Sequence, residues 1–166
     1  MMTEKAVPIG VEFYKQMVDK DYYYVDKTMM IKQLLDSTAS VTLFTRPRRF
    51  GKTLAMNMLK TFFEDERDSQ GNKVDNSKYF EGKKISGFGE KYMAKMGQYT
   101  VISLSQKSAK QPEFEMAYEA LQNEIREEFS RHWYVVESGI LMGGEKKRFE
   151  SIVEDSANNI DYATAL

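Results

Sequence analysis

The stretch Val41 to Phe63, VTLFTRPRRFGKTLAMNMLKTFF, constrains the fold of this chain more than any other. A short apolar run, Val41 to Phe44, leads into a basic turn and then Gly51-Lys52-Thr53. Leu54, Met56, Met58, Leu59, Phe62 and Phe63 follow at helical spacing. The order predicts a buried parallel strand, a loop and a helix. A loop that opens a helix can turn several backbone N–H groups toward one point, where the positive end of the helix dipole also favours an anion. Phosphate is the natural guest.

In the P-loop pattern G-x-x-x-x-G-K-[ST], the second glycine admits close approach of the backbone, the lysine reaches the β- and γ-phosphates, and the hydroxyl holds Mg²⁺. Those roles fall here on Gly51, Lys52 and Thr53, with Thr53 the candidate metal ligand. The candidate phosphate-binding set runs over Arg48, Arg49, Phe50, Gly51, Lys52, Thr53 and Leu54. One departure stands out: Arg46 occupies the place of the first glycine, and Pro47 follows it. A residue before proline is pushed toward extended geometry, so the loop is expected to be stiffer than an ordinary phosphate loop.

The same residues carry a family resemblance. Thr45 to Thr53, TRPRRFGKT, with Tyr24-Val25-Asp26-Lys27-Thr28 upstream, resembles the AAA-ATPase-like domain found at the N-terminus of many bacterial proteins. Val7-Pro8-Ile9-Gly10, Tyr79-Phe80-Glu81-Gly82 and Thr100 to Ser105 extend the resemblance, in order, over most of the chain. The resemblance implies an α/β fold, a P-loop NTPase-like three-layer sandwich with a mainly parallel sheet. It implies ATP and Mg²⁺ as ligands, and a restriction-nuclease-like domain following in the full-length protein, through which nucleic acid becomes a partner. Its arginine-rich loop replaces the glycine-started version, so Arg46 departs from the general motif but not from the relatives. Its motif set also places Asp26 and Lys27 beside the nucleotide; the plainer account is helix capping and a surface ion pair.

With 166 residues, 42% hydrophobic and 30% charged, one globular domain with a real core is expected over 1–166. There is no cysteine and one histidine, which excludes disulfides, thiolate metal sites and a histidine cluster. The N-terminus lacks an apolar signal core, and a cytoplasmic location fits. A net charge of −1 gives no overall footprint for nucleic acid, yet Arg46, Arg48, Arg49 and Lys52 concentrate four positive charges in seven residues. That focus suits a triphosphate.

Along the rest of the chain, Glu12 to Asp19 reads as a short helix and Tyr22-Tyr23-Tyr24 as a strand or extended edge. A helix with Ile31, Leu34 and Leu35 inward follows, capped by Asp26 or Thr28. Glu64 to Lys78 reads as a long polar loop, and Tyr99 to Leu104 as a second strand. Glu113 to Arg131 is the strongest amphipathic helix, with Phe114, Ala117, Tyr118, Leu121, Ile125 and Phe129 on one stripe and a solvated acidic face. Another helical stripe runs from Glu145 to Val153.

A phosphate-loop hydrolase also needs an acidic residue, usually ending a second apolar strand, to hold Mg²⁺ and orient water. Tyr99 to Leu104 ends in Ser105 and Gln106; Glu137, after Trp133 to Val136, is the remaining candidate. In the family resembled, the acidic strand lies beyond the equivalent of Asp161 to Leu166, so the chain reads as the N-terminal part of a single P-loop NTPase-like domain, incomplete at the C-terminus and inactive alone. Two functions follow: an ATP-binding module gripping phosphates with the RPRRFGKT loop, or a non-enzymatic nucleic-acid or protein-interaction module using the same arginines.

Overall fold

The computed structural model describes residues 5–47 and 49–165. They form two compact units, Met1–Val101 and Ile102–Leu166. In the first unit α1 (Tyr14–Asp19), α2 (Met29–Asp36) and α3 (Lys52–Phe63) are followed by two 3₁₀ turns, Ser77–Tyr79 and Lys84–Phe88, and by α4 (Glu90–Met93).

The core of this unit takes Ile31, Met58, Leu59 and Phe62 from the expected helical faces, while Met56 of the same α3 stripe is 53% exposed. Tyr14, Ile31, Met58, Leu59, Phe62, Tyr79, Phe80, Ile85 and Tyr92 are buried together. Phe80 is its centre: its ring meets Tyr14 at 5.4 Å and Phe62 edge-on at 5.1 Å. Burying Tyr14 requires a partner for its hydroxyl, which donates to the Tyr79 carbonyl at 2.9 Å. Burial also pushes the Tyr14 phenol well above its ordinary value. α1 is pinned to α3 by the Tyr14 N–H, which donates to Asn57 Oδ1 at 2.7 Å.

The polar stretch between α3 and the first 3₁₀ turn is tied down rather than loose. Glu66 accepts from Lys15 of α1 and from Asn76 Nδ2 at 2.8 Å, while Asp68 accepts the N–H groups of Gln70 and Asn72. Burial raises the Glu66 carboxyl, but its bonds to Asn76 and Lys15 outweigh that and hold it below the usual range.

The second unit comprises α5 (Phe114–Arg131), α6 (Tyr134–Glu137), α7 (Gly143–Val153) and α8 (Asn159–Ala163). Ile125, Ile152 and Tyr162 form its core, with Leu104, Leu121 and Phe129 packed against them. Asn158 caps α8, accepting from Ile160 N–H at 2.8 Å and Asp161 N–H at 3.0 Å. The acidic face of α5 is not uniformly solvated, because Glu128 is buried. Its carboxylate accepts the Ser103 N–H at 2.7 Å and the Arg131 guanidinium. Phe114, expected on the apolar stripe, is 76% exposed.

The expected α/β sandwich is overturned. Among the described residues there is no strand and no sheet, only isolated bridges pairing Glu64 with Tyr99 and Arg67 with Lys73. A strand exists only as a member of a ladder, and a parallel one is covered on both faces. Val41 and Leu43 are instead 85% and 83% exposed in an unpaired segment, while Phe44 packs against the core. Tyr22 to Tyr24 and Tyr99 to Leu104 likewise run without a ladder. Trp133 precedes α6 and Tyr134 to Val136 lie within it, so Glu137 ends a helical turn rather than a strand.

Candidate functional site

Gly51 sets the geometry of the loop. It stands immediately before α3 with φ 71° and ψ 31°, the left-handed region that favours glycine. Arg49, two residues earlier, also has a positive φ of 67°, uncommon for a residue with a Cβ. The Phe50 N–H donates to the Pro47 carbonyl at 3.4 Å, closing a turn. The turn precedes α3, whose first residue is Lys52. Lys52, Thr53 and Leu54 precede the first helical bond, from the Ala55 N–H to the Gly51 carbonyl at 2.9 Å. Their N–H groups belong to the end of the helix that attracts anions.

Beside this turn lies a cavity of about 540 Å³. Lys27, Arg46 and Lys52 supply its charge, and Gln33 and Thr45 add neutral polar groups. Met29, Met30, Leu43, Phe44 and Met56 are among its apolar lining. Among the described residues no acidic side chain lines it. Such a space suits a ligand with an anionic end and a flat or apolar end, and its size lies within the usual range for small-molecule sites.

Of the residues expected from sequence, Phe50, Gly51 and Lys52 line the cavity. Arg49 and Thr53 are exposed and do not, and Leu54 packs against the core of its unit. Arg48 lies outside the described residues.

Asp26 and Lys27 have separate roles. Asp26 accepts the Thr28 N–H at 2.8 Å, the Thr28 hydroxyl at 2.7 Å and the Lys84 N–H at 2.8 Å. Burial raises its carboxyl, but these bonds outweigh that and keep it below the usual carboxylate range. It is a structural peg. Lys27 points the other way and donates to the Phe50 carbonyl at 3.2 Å. Its ammonium lies 3.1 Å from where a Cβ on Gly51 would stand. Gln33, Met29 and Met30 also face the cavity, yet nothing in their helical spacing distinguishes them from ordinary surface and core positions.

Among the described residues no group of three or more His, Asp or Glu side chains is placed to hold a metal ion. None of their helices is long and apolar enough to cross a membrane.

The family model described as "Predicted AAA-ATPase" matches residues 8–164, nearly the whole chain. The chain belongs to this family. Membership agrees with the resemblance carried by the loop and its upstream motif. Among curated proteins, one from Azotobacter chroococcum mcd 1, named "Uncharacterized protein in vnfD 5'region", is 44% identical over 63 residues. The match covers 37% of this chain and 12% of that protein, so the chain corresponds to a small part of that relative's length. No solved structure matches the chain.

Proposed function

We propose that this AAA-ATPase-family chain binds a nucleoside triphosphate, with ATP the favoured one, in the cavity beside the RPRRFGKT loop. The observation that carries it is the convergence of Lys27, Arg46 and Lys52 on one cavity, without a described acid, at the start of α3. Lys52, which follows Gly51 at the start of α3 and lines the cavity, would take the phosphates, as a glycine-preceded lysine at a helix start does in phosphate loops. The apolar wall, with Met29, Met30 and Met56, would take the base.

The residues fit a triphosphate better than they fit a resident metal. Thr53, the expected metal ligand, does not line the cavity, and Mg²⁺ keeps several waters while taking most other ligands from phosphate oxygens. It fits as an ion carried in with the nucleotide, where it would neutralise phosphate charge. Arg49, exposed beside the loop, would add charge from outside the cavity.

Affinity is expected to fall in the order ATP, ADP, AMP, read by displacement of a fluorescent ATP analogue. An interaction module would behave otherwise: oligonucleotides would displace the analogue with steep salt dependence, and AMP would compete no worse than ATP. The concave, partly apolar shape of the cavity supports the small-molecule reading over a flat polyanion track.

A further inference from the structure

Resting on the phosphate-site reading above, we propose that Lys27 is a second phosphate-binding cation of the cavity, one that also positions the loop. It reaches the loop from the segment before α2, 23 residues upstream of Phe50.

The charge pattern carries the inference. Among the described residues the Lys27 ammonium meets the neutral Phe50 carbonyl, and no acid lines the cavity it shares with Arg46 and Lys52. An ammonium has three donors, and a single carbonyl occupies one. Three like charges facing one concave space repel unless an anion joins them. A polyphosphate is the ligand class that answers such a set, because its charges are spread along a chain.

The position of Lys27 is fixed from behind. Its N–H faces the Tyr24 hydroxyl at 3.4 Å, and its neighbours Asp26 and Thr28 are bonded to each other and to the backbone of Lys84 and Ile85. The ammonium is thus held on a rigid base beside Gly51, where the absence of a Cβ leaves it room. Through the Phe50 carbonyl it fixes the turn that aims Lys52.

The test is calorimetric titration of the full chain with ATP, ADP and AMP at two ionic strengths, for wild type, Lys27→Gln, Lys27→Met, Lys27→Arg and Lys52→Ala. Lys27→Gln keeps a donor for the Phe50 carbonyl but removes the charge. It is expected to weaken ATP roughly tenfold or more, weaken AMP by less, and flatten the salt dependence of ATP affinity. Lys27→Arg should restore most of the loss. Equal weakening of all three nucleotides by Lys27→Met, with wild-type behaviour of Lys27→Gln, would make Lys27 a loop peg only and overturn the proposal. Wild-type ATP affinity in both charge-removing variants, while Lys52→Ala loses it, overturns the role of Lys27 and leaves the cavity reading intact. Failure of the wild-type chain to bind ATP overturns both.

Discussion

Asp26 Oδ2 accepts the backbone N–H of Lys84 at 2.8 Å, joining two points 58 residues apart in the sequence. The other oxygen of the same carboxylate holds Thr28, a fully buried residue whose hydroxyl accepts the Ile85 N–H at 3.2 Å. One carboxylate therefore fastens the start of α2 to the 3₁₀ turn that carries Ile85 into the core. Charged hydrogen bonds of this kind contribute about 1.5–3 kcal/mol each, and their loss exposes backbone donors without partners.

Asp26→Ala is accordingly expected to destabilise the first unit by about 2–3 kcal/mol, measured by urea unfolding. Asn, which accepts through one oxygen, should recover part of the loss. The Asp26 carboxyl is depressed when folded, so its stabilisation is present above the ordinary value of 3.8 and fades as pH falls through the folded value. An Asp26→Ala protein as stable as wild type at neutral pH would show that the peg contributes nothing.

Gly51→Ala should cost about 1–2 kcal/mol from the left-handed backbone alone. It should also push the Lys27 ammonium away from the Phe50 carbonyl, since the new Cβ would stand 3.1 Å from it. Combined with Lys27→Ala, the Gly51 substitution is expected to cost less than in wild type, a non-additivity read from a double-mutant cycle of unfolding free energies. Strict additivity would mean that the ammonium does not rest there.

Glu128 organises the second unit. Burial raises its carboxyl, but the bonds from His132, Arg131 and the Ser103 N–H outweigh this and pull it down to about 2. A depressed carboxylate stabilises the fold above its unfolded value, 4.5, and that stabilisation is lost as pH falls toward 2. Glu128→Gln should remove about 2–3 kcal/mol at pH 7 and flatten the acid unfolding curve between those values. Acid unfolding unchanged by the substitution would contradict the assignment.

The helices were legible because their causes are local. Met58, Leu59 and Phe62 in α3, and Leu121, Ile125 and Phe129 in α5, recur along one face whatever surrounds them; in α1 the spacing of Phe13 and Met17 marks the helix, but Tyr14 is buried and Phe13 is 63% exposed. Strands were not legible, because Val41 to Phe44 and Tyr99 to Leu104 have β-like composition while pairing depends on a partner elsewhere in the chain. The burial of Glu128 left a faint local signal: it sits beside the Ile125 and Phe129 stripe, with Arg131 and His132 three and four residues on. At the site, Gly51 and Lys52 were visible as a motif. The resemblance places Lys27 beside the nucleotide, but its bond to the Phe50 carbonyl is not legible in the residues, because Asp-Lys-Thr before a helix reads equally as a cap; α2 has no side-chain cap bond, and Asp26 bonds Thr28 instead. Only the tertiary approach of the two segments separates the peg from the cation.

Phosphate binding by the loop before α3, through Lys52, is tested most directly by isothermal titration of Mg-ATP into the wild-type chain and Lys52→Ala, with matched thermal melts to confirm folding. Saturable binding by wild type, weakened by about 1.5–3 kcal/mol in Lys52→Ala, is the expected result; equal affinity in the two folded proteins, or no binding by wild type, would contradict it.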